Sequence, residues 1–167
     1  IPPQIRFPHT PMLTVQVRTA AQAEAALAAG AEELNVLLLD SHTRDGLTDA
    51  EILALAARCP LLVSLPPLIK TSEEEAHLTA RLQVLRDGGI TRFMVANIGQ
   101  IKLVDDLGID FMAGDYQLNL TNDLTAAALS QIGLSRQTIS IEMDHARMQE
   151  LSAIGTIPLE LVIHGRL

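Results

Sequence analysis

The sequence has little cysteine, few aromatic residues and no long apolar run. Cys59 is the only cysteine, which excludes an internal disulfide and leaves too few thiols for a zinc or iron–sulfur site within the chain. Aromatic side chains make up 2% of the residues. No apolar run approaches the ~20 residues of a membrane-spanning helix, and no signal peptide opens the chain. These absences predict a cytoplasmic protein in which Cys59 is a buried, inert thiol.

Several catalytic and nucleotide-binding motifs are also missing. No G-x-G-x-x-G or P-loop pattern occurs, which argues against a nucleotide site in an open α/β sheet. There is no G-x-S-x-G for a serine nucleophile and no H-E-x-x-H for a zinc peptidase. Acidic residues outnumber Lys and Arg by 20 to 12, giving a formal net charge of −8. An acidic surface disfavours non-specific binding to nucleic acid or anionic membranes.

Short aliphatic segments alternate with helix-forming segments along most of the chain. Ile1–Pro11 contains four prolines, so we predict that it is an extended strap or linker. Helix starts are predicted at the capping residues Thr19, Asn122 and Asp144, and at Thr71, which forms a capping box with Glu74. The predicted strands are Leu13–Val17, Glu33–Leu38, Leu61–Leu65, Arg92–Ala96, Ile109–Ala113, Arg136–Ile141 and Leu159–Ile163.

This alternation predicts a parallel sheet with right-handed helical crossovers. A complete (β/α)8 barrel has eight strands and typically ~250 residues, whereas this chain supplies seven strands and six helices. We therefore predict an α/β fold, an incomplete TIM-barrel-like domain over residues 12–167, cut from a longer protein. The remainder of the parent chain, or a partner chain, is expected to cover the edges at the first and last strands.

Polar side chains follow most of the predicted strands, whereas the segments before the strands offer mostly Gly, Ile and Pro. The carboxyl ends of barrel strands carry the active site in TIM-barrel enzymes. We therefore predict a site on this rim. The polar residues found there are Asp40, His42, Ser64, Lys70, Asn97, Asp115, Gln117, Asn119, Glu142, His164 and Arg166.

Two of these residues, Glu142 and His164, follow adjacent predicted strands at equivalent heights. A carboxylate beside an imidazole can orient it or share a proton with it, so this pair is the predicted catalytic one. Each residue also has a structural interpretation, Glu142 in the first turn of a helix and His164 within a core. Glu160 points away from its aliphatic neighbours and is expected to fill a polar interior layer or to pair with Arg136.

Four further rim residues, Asn97, Asp115, Asn119 and Arg166, are predicted to bind substrate. Asn97 is equally well explained as a helix cap. In the run DYQLNLTN, the turn and capping tendencies of these residue types account for Asp115 or Asn119 taken singly. We expect Asn97 and Asn119 to face one cavity together with the catalytic pair. No metal site is predicted, because two ligands are too few to define one.

Three sequence runs resemble blocks of the collagenase-like peptidase family U32. They are DYQLNLTN, GLSRQTISIEM and the closing LELVIHGRL. The run FMVANIG and the segment 13–36 are also similar to family members, although more loosely. The matching motif positions are Leu118, Asn119, Asn122, Ile139, Ser140, Glu142, Met143, Glu160, His164 and Gly165.

The resemblance implies a TIM-barrel-like catalytic domain with one of several activities. The family carries a peptidase label, yet bacterial members act in hydroxylation of tRNA or ribosomal RNA pyrimidines, and others in ubiquinone hydroxylation. Hydroxylating members have cysteines downstream of the HG motif that can hold an iron–sulfur cluster. This chain departs from the common pattern at Arg166–Leu167. Any cluster would therefore use cysteines outside the chain, and no cofactor is expected within it.

Three hypotheses follow for the function. The first is an enzyme that hydroxylates RNA pyrimidines as part of the full-length protein. The second is a collagenase-like peptidase, which rests on the family label. The third is a non-catalytic barrel scaffold, in which Glu142 and His164 would matter for stability alone. RNA or peptide is accordingly the expected substrate, and no membrane partner is expected.

Overall fold

The computed structural model describes residues 11–38 and 46–165. The predicted strap over Ile1–Pro11 therefore falls almost entirely outside the described residues. The same is true of three predicted rim residues, Asp40, His42 and Arg166.

Strands and helices alternate throughout the described residues. One 3-10 turn, Tyr116–Leu118, separates the fifth strand from its helix. The strands are β1 (Thr14–Val17), β2 (Glu33–Leu37), β3 (Leu61–Ser64), β4 (Arg92–Val95), β5 (Phe111–Gly114), β6 (Arg136–Thr138) and β7 (Leu159–Glu160). The helices are α1 (Ala20–Ala28), α2 (Asp49–Ala56), α3 (Ser72–Asp87), α4 (Gly99–Asp105), α5 (Asp123–Gln131) and α6 (His145–Ile154).

All seven strands form one parallel sheet in the order of the chain, from β1 to β7. Each strand therefore pairs with its neighbours along the chain, as a barrel requires. Within the described ranges, β1 and β7 pair on one side only. The predicted α/β fold, an incomplete TIM-barrel-like domain, is confirmed.

Side-chain caps begin five of the helices. Thr19, Asn122 and Asp144 accept hydrogen bonds from backbone N–H groups in the first turns of α1, α5 and α6, as predicted. Thr71 caps α3, but its predicted capping box is incomplete because Glu74 accepts from the N–H of Lys70 instead. The full capping box belongs to α2, where Thr48 and Glu51 bond each other's backbone N–H groups.

The outer face of the sheet packs against the helices and forms the main apolar core. Successive strand residues point to opposite faces, so alternate aliphatic positions all point outward. Phe93 is fully buried at the centre of this core. The other buried aliphatic and methionine side chains that the strands contribute to this core are Val17, Leu34, Val36, Leu61, Val63, Val95 and Met112.

The opposite face is concave, and side-chain contacts across it show the curvature. Arg136 on β6 donates from Nη2 to Glu33 on β2 at 2.7 Å. Three strands separate β2 from β6, and neighbouring strands lie roughly 4.8 Å apart. A flat sheet would therefore hold these side chains apart, and the contact requires the sheet to curl into part of a barrel.

One prediction about the strands needs correction. The last two strands are shorter than predicted, since β6 ends at Thr138 and β7 at Glu160. After Thr138 the ladder is replaced by one bridge between Leu120 and Ile139, while residues 161–165 pair with no strand.

None of the helices in the described ranges has the length and hydrophobicity that crossing a bilayer would require.

Candidate functional site

The predicted catalytic residues both lie at the carboxyl ends of adjacent strands. Thr138 pairs with Glu160 at the ends of β6 and β7, and Glu142 and His164 each lie four residues further on, in a turn and a bend beyond the paired residues. Both side chains are exposed. The backbone N–H of Glu142 lies 3.4 Å from Ser140 Oγ, which accepts its hydrogen bond. Among the described contacts, none joins the two side chains, so their catalytic role stays a prediction.

Asp115 directly follows β5 and points to the concave side, two positions after Ala113. Its carboxylate accepts from the N–H of Tyr116 at 2.7 Å, which begins the 3-10 turn. Its own N–H donates to the carbonyl of Val95 at 2.8 Å. The half-buried carboxylate is therefore fixed at the mouth of the barrel.

The backbone around Asp115 is held from the outer face by Gln137. This fully buried side chain donates from Nε2 to the carbonyl oxygens of Thr138 at 2.8 Å and Asp115 at 3.1 Å. Because both neighbours are acceptors, the orientation of the amide is fixed, and Oε1 turns toward Gly114. A Cβ on Gly114 would lie 1.8 Å from that oxygen, so a larger residue there would force Gln137 to move.

The two predicted asparagines shape loops on the rim. Asn119 is exposed and adopts a left-handed conformation with φ of 53°, which asparagine tolerates better than most residues. Asn97 accepts from the N–H of Gln100 and donates to the carbonyl of Pro67, both at 3.2 Å. Its bond to Pro67 joins the loops that follow β3 and β4. Its bond from Gln100 caps the first turn of α4 from the residue before the N-cap position, Ile98.

A cavity of about 420 Å³ lies between the loops that follow β3 and β4. Asn97 lines it, together with Lys70 and the buried side chain of Gln100. The other three residues expected to share a cavity with Asn97 are not among its lining residues. They are Asn119, Glu142 and His164.

A charged layer, made of Glu33, Arg92, Arg136 and Glu160, crosses the concave side near the amino ends of the strands. Glu33 accepts from Arg92 and Arg136, and also from Thr14 Oγ1 at 3.0 Å. Arg136 Nε lies 3.3 Å from Glu160 Oε2, in an orientation that makes no hydrogen bond. Glu160 thus pairs with Arg136, as the alternation of β7 predicted.

Phe111 packs beneath both arginines of the charged layer. The guanidinium carbons of Arg92 and Arg136 lie 4.5 and 5.4 Å from the centre of its ring. A cation over an aromatic face is stabilised by the ring quadrupole. The ring therefore helps to hold both guanidinium groups in the interior.

Polar side chains continue up the concave side from the charged layer to the mouth. Ser64 donates to Asn35 Oδ1 at 2.6 Å, and Thr138 donates to Glu160 at 3.3 Å. Ser140 is buried one step closer to the mouth. TIM-barrel interiors are usually filled by bulky branched side chains. This interior combines a small apolar cluster, Leu62, Met94 and Ala113, with these hydrogen-bonding groups.

Burial raises the pKa of two carboxyl groups on the concave side. The pKa of Asp115 lies above its ordinary value of 3.8 because burial outweighs the hydrogen bond from Tyr116. The pKa of Glu160 lies above 4.5, again mainly through burial, with Arg136 opposing the shift and Glu33 adding to it. Perturbed carboxyl groups in a cleft are candidates for function.

These raised pKa values predict a specific pH dependence. A carboxyl group whose pKa is raised by folding stabilises the protein below its unfolded pKa, and this contribution is lost as pH rises through the folded pKa. Asp115→Asn should remove that loss. Thermal melting of both proteins between about pH 4 and pH 7 should show that the melting temperature of the variant rises relative to that of wild type as pH increases. If the two melting temperatures change with pH in the same way, the burial of this carboxyl group is contradicted.

The described residues do not fit an iron–sulfur cluster or another metal. Within 11–38 and 46–165, no three His, Cys, Asp or Glu side chains form a group that could hold a metal ion. Cys59 is a half-buried free thiol whose Sγ donates to the carbonyl of Leu55 at 3.5 Å. Burial raises its pKa, which disfavours the thiolate form that binds metals. A cluster held by cysteines outside this chain stays a prediction.

Sequence analysis missed most of the charged layer and the role of Gln137. A signal for the layer was present, since Glu33, Arg92 and Arg136 each begin a strand, and the other residues of β2 and β4 are mostly apolar. Charges in buried strands need partners. The partners of these charges lie on strands that are not neighbours in the sheet. The curvature of the sheet brings such strands together, and the sequence predicts only which strands are neighbours.

Comparison with known proteins identifies one family. The model of "Peptidase family U32" matches residues 17–167. No curated protein sequence matches the chain.

Solved structures show the same fold at low sequence identity. The U32 peptidase Mk0906 has a TM-score of 0.69 and 8% identity, covering 95% of this chain and 71% of its own. The candidate copper homeostasis protein CutC from Streptococcus agalactiae has a TM-score of 0.65 and 8% identity, with 91% and 87% covered. MenC from Desulfotalea psychrophila has a TM-score of 0.53 and 16% identity, with 92% and 47% covered. At these identities the likeness is one of fold alone.

Proposed function

The chain belongs to peptidase family U32, and on that premise we propose that it forms the substrate-binding part of a domain that hydroxylates pyrimidine bases in tRNA or ribosomal RNA. The observation that carries the proposal is the set of hydrogen-bonding groups on the concave side. Enzymes that modify a base take it out of the stack and read its edge by hydrogen bonds. Asp115 and Ser140 supply such groups near the mouth, and Glu160 supplies one in the charged layer.

In this proposal the residues of the chain bind and orient the base. Asp115 at the mouth offers a carboxyl group beside the backbone that Gln137 fixes. Glu142 and His164 follow β6 and β7 on the same rim, where a carboxylate and an imidazole can exchange a proton with the substrate. The residues that supply the oxidant are taken to lie elsewhere in the full-length protein.

The RNA backbone needs contacts that this chain does not favour. With a net charge of −8, the chain repels phosphates, whereas RNA-binding surfaces are usually basic. We therefore propose that the rest of the parent chain holds the RNA and covers the edges of β1 and β7. The exposed apolar side chains of Leu161 and Ile163 support such a cover. In this proposal the protein acts on RNA in the cytoplasm.

Nucleoside mass spectrometry of bulk tRNA and ribosomal RNA tests the proposal. A strain lacking the parent gene should lose a hydroxylated pyrimidine, and wild type should restore it. Glu142→Ala and His164→Ala should each fail to restore it, because a general acid or base contributes typically 10²–10⁴-fold to a rate. Glu150→Ala and His77→Ala, at exposed positions on α6 and α3, are the matched controls and should restore it fully.

Two results would contradict this proposal. An unchanged nucleoside profile in the deletion strain would remove the hydroxylase role. Full restoration by Glu142→Ala and His164→Ala would instead favour the scaffold hypothesis for these residues.

One observation favours a peptidase as the second candidate. The carboxyl-terminal side of the sheet exposes the aliphatic side chains of Leu68, Ile98 and Ile163 in loops and of Leu124 in the first turn of α5, each 70–77% accessible. Such side chains suit the apolar groups of a peptide better than phosphates. Gelatin cleavage by the purified full-length protein should then persist under metal chelation and disappear in Glu142→Ala. Absence of cleavage would exclude this activity toward gelatin.

A further inference from the structure

We propose that the cavity between the loops after β3 and β4 is a second binding site, which takes a small zwitterion with an aliphatic side chain, in its simplest form an aliphatic α-amino acid. The cavity has a volume of about 420 Å³, which lies within the range of small-molecule sites in proteins. Its lining residues belong to α3, α4 and the loops before these helices. The inference concerns a site apart from the concave side and does not rest on the proposed function.

Two amide side chains hold the loops that form this cavity. Gln100 is 2% accessible and accepts from the N–H of Ala96 at 2.8 Å, while it donates to the carbonyl of Pro66 at 2.7 Å. Asn97 is bonded in the same way to Pro67 and to the N–H of Gln100. Both amides are therefore used to fix the shape of the cavity. A site that is ordered before binding loses little conformational entropy when a ligand enters.

One part of the cavity lining is aliphatic. Leu68, Ile69 and Leu103 line it, and Ile69 and Leu103 also pack against the main apolar core. Leu68 is 70% accessible. An aliphatic group of a ligand would remove this apolar surface from water, which favours binding.

One cation and one anion line the same cavity without a protein partner. Lys70 lies in the loop before α3, and Glu75 lies in the first turn of that helix. Both side chains are exposed, and neither takes part in a hydrogen bond or an ion pair within the part of the chain that the structure describes. The other lysine of the chain, Lys102, is paired with Asp106. Lys70 is thus free to bind a carboxylate of the ligand, and Glu75 an ammonium group.

The balance of charge favours a zwitterion over an anion. Lys70 and Glu75 are the charged residues among those found to line the cavity, so their charges cancel. Glu73 and Glu74 add two carboxylates to the first turn of α3. A phosphate or a dicarboxylate would be repelled by these groups. A ligand that carries one charge of each sign gives Lys70 and Glu75 a partner each.

Isothermal titration calorimetry of the full-length protein with leucine tests the inference. Leucine should bind saturably to wild type. Its affinity should fall roughly tenfold in Lys70→Met and in Glu75→Gln, which is about the effect of one lost hydrogen bond to a charged group. Lys102→Met and Glu150→Gln are the matched controls and should bind leucine as wild type does. All four side chains are exposed, so the melting temperatures of the variants should stay close to that of wild type.

Leucine analogues identify the groups that the site recognises. Isocaproate lacks the ammonium group, isoamylamine lacks the carboxylate and glycine lacks the side chain, so each should bind roughly tenfold more weakly than leucine. Leucyl-leucine separates two sources of the same zwitterion. Tighter binding than leucine would assign the site to a short peptide, and weaker binding would assign it to the free amino acid.

Three results would overturn the inference. The first is the absence of saturable leucine binding to wild type. The second is equal binding of leucine and isocaproate, which would make the cavity an apolar site without recognition of the ammonium group. The third is unchanged affinity in both Lys70→Met and Glu75→Gln. None of these measurements involves RNA, so a normal nucleoside profile in the deletion strain would reject the proposed function and leave this inference standing.

Discussion

Glu33→Gln should lower the free energy of unfolding by about 3–5 kcal/mol, the usual cost of breaking a buried ion pair from one side. The Glu33 side chain is 0% accessible and pairs with Arg92 and Arg136. A neutral amide would leave two guanidinium groups without their shared counter-ion, over a ring that cannot replace a carboxylate. Urea unfolding of the full-length protein would measure the loss.

Glu24→Gln is the matched control for this experiment. Glu24 also pairs with an arginine, Arg58, but both side chains are more than half exposed. Surface pairs contribute little because water screens them, so this variant should unfold close to wild type. If Glu33→Gln lowers the free energy of unfolding no more than Glu24→Gln does, the buried ion pairs of the charged layer do not stabilise the fold as argued.

Removing all the charges of the charged layer should be less harmful than removing one. Glu33→Leu combined with Arg92→Met, Arg136→Met and Glu160→Gln keeps similar volumes and leaves no charge in the layer, including on Glu160, which pairs with Arg136. Buried ion pairs replaced by apolar side chains in this way are often as stable as before. Recovery in the quadruple variant would show that the loss in Glu33→Gln comes from unpaired charge.

Gly114→Ala should destabilise the protein by about 1–3 kcal/mol, the range for overpacking a closed core. The added Cβ would lie 1.8 Å from Gln137 Oε1, 2.5 Å from Leu134 Cδ2 and 2.7 Å from Leu118 Cδ1. Gln137 cannot turn away without losing its bonds to the carbonyl oxygens of Thr138 and Asp115. The variant should therefore also displace Asp115 at the mouth.

Two further variants decide whether Gln137 causes the effect. In a double-mutant cycle, Gln137→Ala should make Gly114→Ala less costly, because the principal clash is removed. Gly165→Ala is the matched glycine control, since nothing lies within 4 Å of its added Cβ, and it should be neutral. Additive losses in the double variant would contradict a direct clash.

The architecture was predictable because its signals are local. Each aliphatic run is followed by a capped helix, and this repetition alone predicts a parallel sheet in chain order. Asn122 and Asp144 were recognised as caps from the residue type and the segment that follows. The capping box was assigned to Thr71 instead of Thr48 because both sequences fit the pattern, and only the loop before α3 brings Lys70 to Glu74.

The candidate site was predictable only where it depends on neighbouring strands. Glu142 and His164 follow β6 and β7 as the alternation indicates, but their matching heights stay a prediction, because both lie beyond the paired residues of those strands. The pairing of Glu160 with Arg136 follows from the same two strands. By contrast, Glu33 meets Arg136 from 103 residues away, and only the curvature of the sheet determines that contact.

The order of the sheet also bears on how the protein folds during synthesis. Each strand docks beside the strand before it, so β1 to β5 can assemble while later residues are still in the ribosome. Contacts over short sequence separations form early, because they close small loops. Glu33 first meets Arg92, 59 residues on, and gains Arg136 only when β6 emerges. Until six strands are made, the carboxylate of Glu33 in the nascent chain therefore has Arg92 as its single arginine partner.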